Sequence, residues 1–328
     1  MLTFDGRLGG VSRRALVVIA ALGLATAVQA DDWPSRPIKL VVGFPAGGSP
    51  DTVGRMVADK LTQRLGQSVI VESTVGAGGV LASDMVSRAA PDGYTMVMLT
   101  GAHSGTAATR KKLPYDPVDG FSMISLVTAY PMVVAVKPDS PIMSFPDLLA
   151  RAKAAPDKIT VGSNAPGSVH HLLSKWIDIE AGIATTAVPY RGDSQAILDV
   201  LGGRIDVMIG TATALLDQSR AGAVRPLAIS SPQRYALLPD VPTIAESLPG
   251  VETMSWLGLA LPPKTPQPIV DRLNREIRDV LALPEMKERF AQLGGVPSPS
   301  SPAEMVDLIR REVRRWSVVV EQKNIERQ

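Results

Sequence analysis

Cysteine is absent from the 328 residues of this chain, and aromatic residues make up only 4% of it. The absence of cysteine excludes a disulfide framework, a thiolate metal site and a cysteine nucleophile. The sequence also lacks a P-loop, a Gly-x-Ser-x-Gly nucleophile turn and a His-Glu-x-x-His motif. These absences make the common hydrolase, nucleotide-binding and metalloprotease families poor descriptions of the chain.

Long hydrophobic runs are also missing, except near the N-terminus. Residues 15–28 form an uncharged apolar run that follows Arg7, Arg13 and Arg14, and Val28-Gln29-Ala30 offers small residues for cleavage. The run is shorter than the ~20 residues that a membrane-spanning helix needs. The pattern predicts a signal peptide over residues 1–30 and export to the periplasm. The Sec and twin-arginine routes both stay open, and a retained anchor helix is the alternative.

An excess of charge of either sign is missing from the chain that would remain after cleavage. Residues 1–30 hold three basic and one acidic residue, and the rest of the chain has equal numbers of both. Because it is neutral and poor in aromatics, we expect no nucleic-acid partner and no membrane-surface partner. About 300 residues are enough for two domains.

Apolar runs typical of strands alternate with segments of helical period along most of the chain. This alternation predicts an α/β fold with mixed, mostly parallel sheets covered by helices. The C-terminal part, after residue 266, is predicted to be helical. The predicted strands are 38–44, 68–72, 94–99, 122–127, 132–137, 159–163, 185–190, 205–210, 226–230 and 256–261, and the predicted helices are 51–65, 80–89, 168–180, 193–201, 267–282, 284–292 and 302–325.

Two Gly-rich stretches each follow a predicted strand and open a predicted helix. They are residues 38–51, with Pro45-Ala46-Gly47-Gly48 and Asp51, and residues 159–171, with Gly162-Ser163-Asn164 and Gly167-Ser168. The first N–H groups of a helix have no intrahelical partner and attract anions, together with the helix dipole. Two such loops in different halves of the chain indicate a ligand gripped from both sides. Turn chemistry without a ligand is the alternative, since glycine also serves where φ is positive.

Two further motifs offer other functions. His170-His171 could begin a metal site, but adjacent helical residues point about 100° apart and cannot easily share one ion. We expect His171 to be the inward-facing residue of the pair. Residues 76–79 begin like a dinucleotide fingerprint, yet Leu81 stands where the third Gly or Ala belongs. Arg191, after another predicted strand, could add a cation to a ligand site.

The order of short motifs resembles the Bug family of extracytoplasmic solute receptors, the substrate-binding components of tripartite tricarboxylate transporters. Any one motif is weak, but nine in order along nearly the whole chain are specific. They are Trp33-Pro34-Ser35-Arg36-Pro37-Ile38, Pro45-Ala46-Gly47-Gly48 with Asp51, Gly76-Ala77-Gly78-Gly79, Ala90-Pro91-Asp92-Gly93-Tyr94, Leu113-Pro114-Tyr115-Asp116-Pro117, Gly167-Ser168 with His171-Leu172, Pro189-Tyr190-Arg191-Gly192, Pro239-Asp240-Val241-Pro242-Thr243 with Glu246, and Trp256-x-Gly258.

The resemblance implies a two-lobed type II periplasmic binding protein, or Venus flytrap, with a ligand cleft between the lobes. We expect one lobe from residues 31–133 and 256–328 and the other from 134–255, with hinges near 131–137 and 255–262. The residues expected to bind or line the ligand are Phe44, Ala46, Gly47, Gly48, Asp51, Gly78, His103, Ser163, Asn164, Gly167, Ser168, His171, Tyr190 and Arg191. The second loop departs from the family pattern at Asn164-Ala165-Pro166, where specificity would differ.

The resulting hypothesis is a monomeric receptor that captures a small carboxylate and delivers it to membrane permease subunits, without cofactor, metal or catalysis. A ligand that touches both lobes would favour the closed state, because only there are both contacts made. Two other classes stay open. One is a receptor that feeds a signalling partner, and the other is an α/β enzyme acting on an organic acid with His103 or His171 as base.

Overall fold

A computed structural model describes residues 33–164 and 167–327 of the chain. The predicted signal peptide, residues 1–30, and the Ala165-Pro166 pair of the second Gly-rich stretch lie outside the described residues. Within those two ranges, no helix combines the length and the apolar character needed to cross a membrane.

Strands and helices alternate along the chain, and they include three helices and one short strand that the sequence analysis does not predict. The strands are β1 Ile38–Val42, β2 Val69–Ser73, β3 Thr95–Thr100, β4 Ser122–Val136, β5 Thr160–Asn164, β6 Thr186–Tyr190, β7 Val207–Thr211, β8 Arg225–Ile229, β9 Met254–Leu261 and β10 Val296–Pro297. The helices are α1 Ser49–Leu65, α2 Val80–Ser87, α3 Gly101–Thr109, α4 Phe145–Ala154, α5 Val169–Ala181, α6 Asp193–Leu201, α7 Ala212–Arg220, α8 Gln267–Ala282, α9 Pro284–Gln292 and α10 Pro302–Gln322, with short 3₁₀ turns at Ala77–Gly79 and Ile244–Glu246.

The strands form two mixed sheets that share the long strand β4. In the first sheet the order is β2-β1-β3-β9-β4, with β1 parallel to both neighbours and β9 antiparallel to β3 and β4. In the second sheet the order is β4-β7-β5-β6, with β5 parallel to both neighbours and β8 also paired to β4. This topology confirms the predicted α/β class with mixed sheets, one sheet to each lobe. The described strand pairs are four parallel and five antiparallel, so the sheets are not mostly parallel as predicted.

Strand β4 passes from one sheet to the other at Pro131. Its first part pairs with β9 as far as Pro131, opposite Met254, and its last part pairs with β7 and β8 from Met132 onward. Proline has no N–H to donate within a central ladder. The sequence predicts two strands here from their apolar runs, 122–127 and 132–137. The structure joins them: Pro131 occupies the position where the partner strand changes, so the missing donor is tolerated there.

The helices begin and end where local chemistry favours it. Ser168 caps α5, and Gly182 ends that helix in the left-handed region at φ 61°. Ser301 and Glu304 form a reciprocal capping box at the start of α10. The two loops that the sequence singles out therefore lead into well-defined helices, α1 and α5.

Helix α10 contributes to the cores of both lobes. Its first half places Met305 and Ile309 in the first-lobe core with Trp256, whereas Trp316, Val319 and Val320 lie in the second-lobe core. The predicted division at 133 and 256 assigns this helix wholly to the first lobe, so its last turns depart from that division. The residue boundaries of the lobes otherwise stay a prediction.

Candidate functional site

The first loop, residues 43–48, joins β1 to α1 and is shaped by its own neighbours. Gly47 has φ of +80°, which favours glycine, and Gly48 is the N-cap of α1. The backbone N–H of Gly47 donates to Oδ2 of Asp51 at 2.9 Å, and Nε of Arg55 donates to the same oxygen at 3.0 Å. The hydrogen bond from Arg55, helped by that from Gly47, lowers the pKa of Asp51 against the opposing effect of burial. Asp51 therefore positions the loop.

The Gly-rich turn at residues 76–79 packs directly against the first loop. A Cβ on Gly43 would lie 2.7 Å from the Cα of Gly79, and one on Gly79 would lie 3.4 Å from the ring of Phe44. On its other side the turn approaches α3, where a Cβ on Gly78 would lie 3.9 Å from Thr106. These glycines serve close backbone packing, which explains the motif without any dinucleotide.

The second loop, residues 163–168, is described on both sides of Ala165-Pro166. The Ser163 hydroxyl donates to the carbonyl of Asn164 at 3.4 Å, and the Ser168 hydroxyl accepts the backbone N–H of His171 at 3.2 Å. Gly167 has φ of +85°, and a Cβ there would lie 2.5 Å from the hydroxyl of Thr109 in α3. The second loop, from one lobe, thus packs tightly against α3 from the other.

A buried ionic cluster holds the second loop from the opposite side. Nε2 of His170 lies 3.0 Å from Oδ1 of Asp193, and the amide nitrogen of Asn164 donates to the same oxygen at 3.3 Å. The backbone N–H and the hydroxyl of Thr211 donate to Oδ2 of Asp193, at 3.1 and 2.7 Å. Burial alone would raise the pKa of Asp193, but His170 and the hydrogen bonds from Thr211 outweigh it and lower that pKa.

A chain of hydroxyl groups connects this cluster to the start of α1. Thr211 donates to Asp193, Thr213 donates to Thr211 at 2.7 Å, and the Ser49 and Thr213 oxygens lie 3.3 Å apart. A hydroxyl group has only one hydrogen to donate. Thr211 donates it to Asp193 and Thr213 donates it to Thr211, so Ser49 is the donor to Thr213. We call Ser49, Thr213 and Thr211 the hydroxyl chain. It links the two lobes next to the first loop.

Together these contacts form a closed series that runs through both loops, and we call this series the circuit. The first loop touches the turn at residues 76–79, the turn touches α3, and α3 touches the second loop. The second loop then reaches Asp193, and the hydroxyl chain returns from Asp193 to the first loop. The N-termini of α1 and α5 both belong to the circuit, so backbone donors and two helix dipoles are available to an anion.

The structure reverses the predicted roles of the two adjacent histidines. His170, 8% exposed, is the one that joins the cluster with Asp193 and Asn164. His171 is half-buried on the face of α5 that carries Lys175, and burial together with that lysine lowers the pKa of His171 to about 4. The reversal follows from the helix: Ser168 caps it, so the first turn directs position 170 toward Asp193.

Three other predicted residues lie apart from the circuit's polar contacts. His103 is buried between Tyr115 and Phe121, its Nε2 lies 2.8 Å from the carbonyl of Pro117, and burial lowers its pKa to about 4. The Tyr190 hydroxyl donates to Asp199 at 2.8 Å. Arg191 is exposed, as is Ala46 in the first loop. None of the three side chains His103, Tyr190 and Arg191 is brought to the two loops by a described hydrogen bond.

Ser49, Asp193, Thr211 and Thr213 belong to the contacts of the circuit but were not predicted from the sequence. A signal for most of them exists: β5, β6 and β7 are parallel, so residues that follow their carboxyl ends meet at one edge of the sheet. Asp193 lies three residues after the end of β6, Thr211 is the last residue of β7, and Thr213 lies two residues further on. In the parts of the chain that the structure describes, no group of three or more His, Asp and Glu side chains is arranged to hold a metal ion.

Comparison with known proteins gives the circuit a family context. Residues 53–325 match the model of the tripartite tricarboxylate transporter family receptor. The chain is 34% identical over 309 residues to protein BugT of Bordetella pertussis (strain Tohama I), an alignment that covers 93% of this chain and 95% of that protein.

Solved structures agree with the sequence comparison. The structure of Rhodopseudomonas palustris Rpa4515 with adipate has a TM-score of 0.81 and 32% identity, over 88% of this chain and 98% of that one. MatC from the same organism, with bound malate, has a TM-score of 0.78 and 30% identity, over 88% and 100% of the two chains. These likenesses confirm the two-lobed periplasmic-binding-protein fold. The chain belongs to the tripartite tricarboxylate transporter receptor family, which includes the Bug proteins.

Proposed function

We propose that this protein is a periplasmic receptor that binds a small carboxylate between its lobes and delivers it to a tripartite tricarboxylate-type permease. The observation that carries the proposal is the circuit of contacts, which links two helix N-termini, those of α1 and α5, through Asp193 and the hydroxyl chain. A carboxylate held there would receive backbone N–H groups from both lobes. Relatives with adipate and malate bound support the ligand class.

The roles of the two loops differ in this proposal. The first loop offers the first turn of α1, but Pro50 lacks an N–H, the Gly47 N–H donates to Asp51, and the Gly48 N–H donates to the carbonyl of Pro45. The second loop offers the start of α5, held by Gly167 against α3. We propose that Ala46, Gly48, Ser163, Asn164 and Ser168 contact the ligand.

Binding rather than catalysis is the activity we propose. His103 and His171 are the candidate bases, and burial lowers the pKa of both to about 4, so each is a weak base near neutral pH. His103 is enclosed by aromatic rings away from the loops, and His171 faces Lys175. Release of the ligand to a permease requires only that the two lobes separate. We propose that the lobes rotate about strands β4 and β9.

A thermal-shift screen of mono-, di- and tricarboxylates tests the proposal. We expect saturable stabilisation by at least one carboxylate, and stabilisation only by a nucleotide or a metal ion would contradict it. The variant Gly47→Val should lose binding, because valine at φ of +80° distorts the first loop. Gly250→Val is the matched control, since Gly250 is also exposed, with φ of +88° and open space around a Cβ.

The permease part of the proposal has its own test. Cells that lack this receptor should lose uptake of the stabilising carboxylate, and expression of the wild-type receptor should restore it. Some cells take up the compound through tripartite tricarboxylate-type permease subunits. If deletion of the receptor leaves uptake unchanged in such cells, a sensory role would be favoured.

A further inference from the structure

A cavity of about 190 Å³ lies beside the Ser49–Thr213 contact, next to the first loop. Gly47 forms part of its wall, and the other walls come from the start of α1, from β4, from the start of α7 and from α9. This volume is large enough for several non-hydrogen atoms. A ligand whose carboxylate is at the first loop can therefore extend into it.

Five hydroxyl-bearing side chains line the cavity, and no charged side chain does. They are Ser49, Thr52, Thr128, Tyr130 and Thr213. The basic side chains Arg55, Lys60 and Arg289 belong to the helices that form two of the walls, but they line a separate groove between α1 and α9. A carboxylate inside the cavity would therefore lack a cationic partner.

Three of these five hydroxyl hydrogens, those of Ser49, Thr128 and Thr213, are already donated to other groups. Thr128 donates to the carbonyl of Val296 at 2.8 Å, and Thr213 and Ser49 donate along the hydroxyl chain toward Asp193. Each hydroxyl has one hydrogen and two lone pairs, so these three oxygens present only acceptors to the cavity. A carboxylate is itself only an acceptor, whereas an alcohol brings the missing donor.

The buried charge of Asp193 adds to this preference. Asp193 is linked to the cavity through Thr211 and Thr213, and it also acts on Tyr130, a lining residue 5% exposed. Burial is the main cause that raises the pKa of Tyr130 to about 12, and the negative charge of Asp193 contributes in the same direction. The same field disfavours a second anion in the cavity.

We infer that the cavity takes the uncharged, hydroxyl-bearing end of the ligand, so that the preferred ligand class is a hydroxy monocarboxylate rather than a dicarboxylate. This inference rests on the proposed function, because the first loop must hold the carboxylate. An ammonium end would also donate, but no carboxylate lines the cavity to pair with it, and an unpaired buried charge is costly.

Two matched pairs of compounds test the inference by calorimetric titration of the wild-type protein. They are 6-hydroxyhexanoate with adipate, and 4-hydroxybutanoate with succinate; hexanoate and 6-aminohexanoate complete the series. We expect the better hydroxy acid to bind at least about ten-fold more tightly than its diacid, since the diacid buries a charge without a partner. It should also bind more tightly than hexanoate and 6-aminohexanoate.

A variant connects that preference to the cavity. Tyr130→Phe removes one lining hydroxyl and keeps the ring, so the affinity for the hydroxy acid should fall about two- to ten-fold while that for hexanoate stays unchanged. Tyr115→Phe, in the aromatic cluster around His103, is the control and should change neither.

The outcomes separate this inference from the proposed function. A diacid or the amino acid that binds as tightly as the hydroxy acid, or an unchanged hydroxy-acid affinity in Tyr130→Phe, overturns the inference and leaves the receptor proposal standing. Absence of binding by every carboxylate in the series and in the wider screen overturns both.

Discussion

Glu312 is a buried carboxyl group whose ionisation should control the stability of this protein near neutral pH. It lies on α10, is 3% exposed, and its Oε2 accepts the indole N–H of Trp256 at 2.8 Å. One turn further along, Trp316 enters the second-lobe core and packs edge-on against Trp176. Glu312 thus lies where α10 leaves one core and enters the other.

The size of this effect on stability follows from the raised pKa of Glu312. Burial raises the pKa of Glu312 from its ordinary 4.5 to about 7, against the opposing effects of Trp256, the Ser104 hydroxyl, Arg315 and Arg311. This difference corresponds to about 3 kcal/mol. The folded state binds the proton more strongly than the unfolded state does. The stabilisation is therefore complete below pH 4.5 and is lost as pH rises through about 7.

The variant Glu312→Gln should remove this pH dependence. Glutamine has the shape of the protonated acid, and its carbonyl oxygen can still accept the N–H of Trp256. Near pH 5 the free energies of unfolding of the variant and the wild type should be similar. At pH 8 we expect the variant to be more stable by up to about 3 kcal/mol.

Urea denaturation of both proteins at intervals from pH 5 to pH 9 measures the difference. Glu321→Gln, at an exposed position of the same helix, is the control, and its difference from wild type should stay constant across this range. If the free energies of unfolding of Glu312→Gln and wild type differ by the same amount at every pH, the reasoning is refuted. It is also refuted if the variant is less stable than wild type at pH 8.

Three further substitutions test the circuit around the loops. Gly105→Ala should weaken ligand binding and lower the melting temperature, because its Cβ would overlap the carbonyl of Gly167, although alanine ordinarily favours a helix by about 1 kcal/mol. Asp193→Asn should lower the free energy of unfolding by up to about 3 kcal/mol, since it breaks a buried pair with His170, and should also weaken binding. Asp51→Asn should weaken binding, because Asp51 holds the first loop. The loss in binding free energy should be only about 1 kcal/mol, because Arg55, the ionic partner of Asp51, is half exposed to solvent.

Matched controls distinguish these effects from general damage. Gly192→Ala adds a Cβ to open space at extended backbone and should leave the melting temperature and affinity unchanged. Asp199→Asn, on the same helix as Asp193 but paired with Arg204 near the surface, should have a much smaller effect on unfolding. A stabilised Gly105→Ala protein with full affinity, or equal effects of Asp193→Asn and Asp199→Asn, would contradict the packing described above.

Local sequence patterns predict most of the helices and strands of this fold. The predicted helices 193–201, 267–282 and 284–292 agree with α6, α8 and α9 at both ends. Proline lies in the first turn of α8 and α9, and their buried residues recur with helical spacing. Apart from the two predicted strands that the structure joins as β4 and the unpredicted β10, the strands agree within about two residues, because apolar runs bounded by Gly, Pro and Asp define them.

Three helices were not predicted, and α3 shows why. Its sequence, Gly-Ala-His-Ser-Gly-Thr-Ala-Ala-Thr, has small residues with little apolar periodicity. The small residues are required by neighbours that are distant in sequence, since Gly105 faces the second loop and Gly101 faces Val169. Only the folded arrangement reveals that requirement, and α4 and α7 were missed as well.

The two loops differ in what holds them, and this difference explains which site residues the sequence could reveal. The first loop is fixed by Asp51, four residues from Gly47, so a local pattern of glycines and one carboxylate identifies it. The second loop is fixed by Asp193 and by α3, which lie tens of residues away in either direction. Its geometry, and with it the ligand preference, therefore depends on positions outside the loop motif. A relative with an identical second loop but another residue in place of Asp193 should differ in specificity.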